Sequence, residues 1–90
     1  MENSELLKIY RDQIDSLDKE MIYLLFRRFE LVKQIWLVKK DDWIKNPLDI
    51  DRWEKLMKDN LDFAKEYSLN QDLIKDIWDM IHKESLKIEK

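Results

Sequence analysis

A chain of 90 residues has room for one small domain and little room for a self-sufficient core, so a partner chain is expected. No glycine, one proline and abundant Leu, Ile, Lys, Glu and Asp favour helices and disfavour strands that need tight turns. A formal net charge of -3 argues against nucleic acid or an anionic membrane surface as the main partner, and the absence of cysteine removes disulfide frameworks and thiol chemistry.

The first predicted helix runs from about Glu5 to Lys40. Leu7, Tyr10, Ile14, Leu17, Met21, Leu24, Arg28, Leu31, Ile35 and Val38 recur along it at alternating three- and four-residue steps, the spacing of a coiled-coil seam. Nothing interrupts the seam before KKDDWIKNPLD, where consecutive charges, Asn46 and Pro47 mark a loop. Roughly 35 residues at about 1.5 Å rise span about 50 Å, against about 25 Å for a compact domain of this size. The helix is therefore expected to lie against the same helix of a second copy in a two-fold dimer. A second helix begins near Asp49, a suitable N-cap, and carries Trp53, Leu56, Met57, Asn60, Ala64 and Tyr67 along one side until YSLN ends it. Asn70 caps a third, whose apolar side reads Leu73, Ile74, Ile77, Trp78 and Ile81.

No repeat, low-complexity segment or linker divides the chain, so residues 1–90 read as a single all-α domain of three helices. The opening MENSELLKIYRDQ lacks the uninterrupted apolar core of a signal peptide, and no run of about 18 apolar residues could span a bilayer. A cytoplasmic location is expected.

Arg28 breaks the apolar seam. A guanidinium buried there is costly unless it meets an anion. Lys39 lies eleven residues on, within roughly 20° of the same face and about 16 Å further along, so two long cations could converge on one cavity. Arg11 lies seventeen residues back, about 25 Å away and about 100° around the helix, and could reach that cavity only from an antiparallel partner. The alternative is that Arg28 snorkels or pairs with an acid across the bundle while Lys39 is a solvated helix end. Spacing alone leaves both open.

Arg11, Arg28, Lys39, DIDR at residues 49–52 and IHKES ending at Ser85, together with IYRDQIDSLDKEMIYLL and RRFELVKQI, resemble the all-helical (class II) chorismate mutases in order and spacing across nearly the whole chain. The resemblance implies an intertwined antiparallel homodimer of three-helix chains with two active sites, each borrowing one arginine from the partner. It implies rearrangement of chorismate to prephenate, the branch-point step towards phenylalanine and tyrosine, with no cofactor and no metal. Arg11 of one chain, with Arg28 and Arg52 of the other, would grip the two carboxylates of this small dianionic substrate. Lys39 would donate to the ether oxygen as negative charge grows on it. Asp49 would approach the ring hydroxyl, and Ser85 a carboxylate.

Two positions depart from the family pattern. The family commonly carries Asp-x-x-Arg-Glu at the start of the second helix, the Glu orienting the ring hydroxyl, whereas here Trp53 follows Arg52. Shifting the register to use Glu54 puts Trp53 at the arginine position and Ile50 at the aspartate position. Trp53 then reads as pocket wall or, more commonly for a Trp at helical spacing, as core. Glu89 stands where many members carry a Gln that contacts the ether oxygen. It reads as a third catalytic residue beside Arg28 and Lys39, or else as an exposed acid near a frayed helix end.

His82 is the only histidine, which excludes a His-based metal cluster or a conventional triad within one chain. It shares a helical stripe with Trp78, Ser85 and Glu89, which could put it at the pocket edge, and reads more commonly as surface packing. Trp36 and Trp43 read as packing or loop anchors, and Asp41 with Asp42 as a solvated turn. Two other functions fit the same scaffold. One is isochorismate pyruvate-lyase, since RRFELVK suits either pattern; the other is an inactive helical interaction or regulatory module, motivated by Trp53.

Overall fold

The computed structural model describes residues 2–41 and 50–89, with only the backbone of Asp41. Three helices follow one another: α1 (Asn3–Asp41), α2 (Ile50–Glu66) and α3 (Gln71–Ile88), with no strand among the described residues. The all-α class and the long first helix are as the composition and the seam imply. None of the helices in the described residues is long and apolar enough to cross a membrane.

α1 starts two residues earlier than its apolar spacing suggests, because the amides of Glu5 and Leu6 both donate to the Glu2 carbonyl at 3.1 Å and close a turn ahead of the first seam residue. Glu5 in its first turn and Lys39 and Lys40 in its last match the helix dipole. At the other end of the chain, the Asn70 side chain accepts from the Leu73 amide at 3.1 Å and caps α3 as expected. The turn between α2 and α3 is made without glycine. Ser68 takes the left-handed region at φ 57, its amide donating to the Lys65 carbonyl at 3.0 Å while Leu69 donates to Ala64 at 3.1 Å. That pair of bonds satisfies carbonyls that the end of α2 would otherwise leave open.

Two compact units make up the chain, Met1–Leu31 and Val32–Lys90. In the first, the seam residues Leu7, Tyr10, Ile14, Leu17, Met21 and Leu24 each expose half or more of their surface. In the second, the short turn makes α2 and α3 a helical hairpin, and Val32, Ala64, Ile74 and Ile81 are buried. The last turns of α1 thus carry two stripes. Ile35 and Val38 continue the exposed seam, while Val32, Trp36 and Lys39, spaced by four and then three, are buried or half-buried. On α2 and α3, two side chains assigned to apolar faces by spacing are exposed instead, Tyr67 because it lies in the turn beyond α2 and Leu73 in the first turn of α3.

Candidate active site

The best-defined polar centre joins the ends of two helices. Lys39, on the inward stripe of α1, places its Nζ 3.7 Å from Oε1 of Glu89, with the two side chains 25% and 9% exposed. Glu89 is the C-cap of α3, its amide donating to the Ser85 carbonyl at 3.1 Å, so this helix end is closed by a hydrogen bond. Neither the exposed acid nor the solvated lysine offered as alternatives from sequence is what is found. A separation of 3.7 Å is an attraction between charges and is longer than a direct hydrogen bond of about 2.7–3.2 Å.

One turn before Glu89, Ser85 is buried, and its hydroxyl donates to the Ile81 carbonyl at 3.0 Å. To donate to a carboxylate it must rotate away from Ile81. Arg52 sits exposed in the first turn of α2. Beside it, the half-buried Trp53 stacks on His82 of α3, ring centroids 4.1 Å apart and planes 21° from parallel.

The remaining site candidates belong to the first unit or lie outside the description. Arg11 is exposed and Arg28 half-buried on α1, within Met1–Leu31. Asp49, Asp42 and Trp43 lie outside the described residues. The half-buried Trp36 holds Lys40 over its ring, Nζ 5.0 Å from the centroid. Away from the Lys39–Glu89 centre, Lys58 donates to Asp62 at 2.8 Å on the surface of α2; that hydrogen bond, and then the charge attraction, raises the lysine pKa and lowers the aspartate pKa from their ordinary values. No cluster of His, Cys, Asp or Glu among the described residues has the arrangement of a metal site.

Sequence reasoning missed the Trp53–His82 contact and the burial of Val32. The first had a signal. Trp53 and His82 lie fifteen residues before and fourteen after Ser68, and in a helical hairpin residues equidistant from the turn face each other. Val32 had none, since it stands one residue off the seam that dominates α1.

Compared with known proteins, the chain matches the family described as chorismate mutase type II over residues 10–90. It is 32% identical over 88 residues to the bifunctional chorismate mutase/prephenate dehydratase of Buchnera aphidicola subsp. Acyrthosiphon pisum (strain APS), a match covering 98% of this chain and 22% of that protein. The chain therefore spans about a fifth of the length of that relative. No solved structure gives a significant match.

Proposed function

This chain belongs to the chorismate mutase type II family, and from that premise we propose that it converts chorismate to prephenate as one domain of residues 1–90, acting as an intertwined antiparallel homodimer in the cytoplasm. The reaction is an intramolecular rearrangement, so the protein's task is to hold a compact conformer and to stabilise developing charge. The proposed steps use no metal and no cofactor.

The observation that supports this most is the Lys39–Glu89 pair, a largely buried acid facing a half-buried lysine at 3.7 Å. Lys39 donates to the ether oxygen as its bond to the ring breaks. The same oxygen gains little charge in the ground state, so the interaction favours the transition state. Glu89 in its protonated form donates to that oxygen too; ionised, it repels the growing charge. Arg28, Arg52 and Arg11 of the partner subunit grip the two carboxylates. Ser85 contributes to one of them by exchanging the Ile81 carbonyl for the ligand, and Asp49 approaches the ring hydroxyl.

The exposed seam of α1 supports the dimer, because six large apolar side chains at heptad spacing are half or more exposed to water in the single chain. Covering them with the same surface of a second copy buries both at once.

Incubating the purified chain with chorismate and identifying the product tests the function. Prephenate supports it. Turnover of isochorismate alone, to salicylate and pyruvate, points to the lyase; a folded chain inert to both points to a non-catalytic module.

A further inference from the structure

We propose that His82 is an additional substrate-binding residue, its imidazole N–H donating to the ring carboxylate of the dianion, and that Trp53 is the residue that positions it. The proposal rests on the chorismate mutase reading given above and goes beyond it by adding a donor to the site.

The placement comes from α3. His82, Ser85 and Glu89 fall within about 60° of one another around the helix, with Ser85 about 6 Å and His82 about 10.5 Å back from Glu89 along its axis. If Glu89 and Lys39 meet the ether oxygen, the substrate extends from there along this stripe. The carboxylate of the enolpyruvyl group is attached to the carbon that bears the ether oxygen. The ring carboxylate is two ring carbons away from the ether-bearing carbon, so it is the one that reaches towards Ser85 and His82.

A further donor strengthens that point, because Ser85 can turn its one hydroxyl hydrogen to the ligand only by giving up the Ile81 carbonyl, to which it donates at 3.0 Å. His82 stands one turn earlier, half-buried, and no hydrogen bond among the described residues engages its ring nitrogens. An imidazole carries at least one N–H whether neutral or charged, so it can serve a carboxylate in either form.

Trp53 explains how the ring is held. Stacking at 4.1 Å and 21° fixes the plane of the imidazole and leaves both nitrogens at the edge of the stack. A glutamate at position 53, the residue type the family pattern has there, would accept the imidazole N–H itself and compete with the ligand. An indole presents only its face to His82, so the N–H stays available.

The chain's only histidine gives a direct readout, since its imidazole NMR signals need no assignment by mutation. Titrating the wild-type chain with prephenate, which keeps the ring carboxylate, should shift the His82 ring N–H signal in step with saturation. A signal unmoved at saturating prephenate overturns the proposal. In kinetics, His82→Leu should raise KM for chorismate roughly tenfold or more, the scale of a hydrogen bond to a charged group, with the loss falling on KM more than on kcat. His82→Gln, which restores an amide N–H, should recover part of it. Trp53→Ala should reproduce part of the KM effect, and Trp53→Phe, which keeps a stacking face, should not. Chorismate esterified at the ring carboxylate should bind wild type more weakly and lose little more with His82→Leu. An equal His82→Leu penalty on ester and acid overturns the proposal by assigning the residue to packing. If a variant does not fold, the wild-type titration decides. Chorismate left unconsumed by wild type defeats the parent reading and this proposal together, whereas normal turnover with a wild-type KM in His82→Leu and a silent imidazole defeats this proposal alone.

Discussion

Lys39 Nζ and Glu89 Oε1 lie 3.7 Å apart across the ends of α1 and α3, and the glutamate side chain is only 9% exposed. A carboxylate placed so deeply beside one cation has consequences for rate, because the same group can repel or donate according to whether it holds a proton.

The chorismate rearrangement should accelerate when the carboxylate of Glu89 is replaced by a neutral amide, because the change removes a negative charge from beside the ether oxygen and supplies a donor there. Glu89→Gln keeps the shape of the side chain, so it should raise the rate near neutrality. Rates of wild type and Glu89→Gln at one neutral pH, with circular dichroism to confirm folding, check this. An unchanged rate in folded Glu89→Gln places Glu89 outside the site.

The proposed sharing of active sites between two subunits makes a prediction about mixtures. Arg11→Ala and Arg28→Ala should each be nearly inactive as homodimers, yet dissociating and reassembling them together should restore activity. In the mixed dimer one site receives both defects and the other neither. Reassembled mixtures that stay inactive, although folded dimers form, rule sharing out.

The turn between α2 and α3 predicts stability changes with no catalytic content. Ser68 sits at φ 57, a region that costs a residue with a Cβ about 1 kcal/mol, so Ser68→Gly should stabilise the chain by roughly 0.5–1 kcal/mol. Asn70→Ala removes the acceptor of the Leu73 amide and should destabilise it by about 1 kcal/mol. Urea unfolding at fixed protein concentration measures both, the concentration held constant because the folded state is proposed to be dimeric.

Local structure was legible where one short stretch determines it. The seam of α1 reads directly from Leu7 to Val38, and Asn70 announces the start of α3, because apolar period and side-chain capping depend only on neighbours in sequence. The candidate site was legible only in part: the family resemblance sets both Lys39 and Glu89 at the ether oxygen, but their approach in the structure depends on how the end of α3 reaches the end of α1, which no local spacing encodes. Val32 escaped for a related reason. Its burial falls one residue off the heptad, and the stronger heptad pattern hides the weaker stripe of Val32, Trp36 and Lys39. Trp53 and His82 could have been paired by counting outwards from the turn, had the turn been placed at Ser68 beforehand.

The central claim is that this chain accelerates chorismate rearrangement through charge placed beforehand at the ether oxygen, with Lys39 as its main donor. Its most direct test is the turnover number of wild type and Lys39→Ala on chorismate, with the product identified and both proteins shown to be folded. The prediction is prephenate from wild type and a loss on the order of 100-fold or more in kcat for Lys39→Ala, the scale of one preorganised donor, with Lys39→Gln slightly above Ala. An unchanged turnover number in Lys39→Ala, or a folded wild type that leaves chorismate intact, would contradict it.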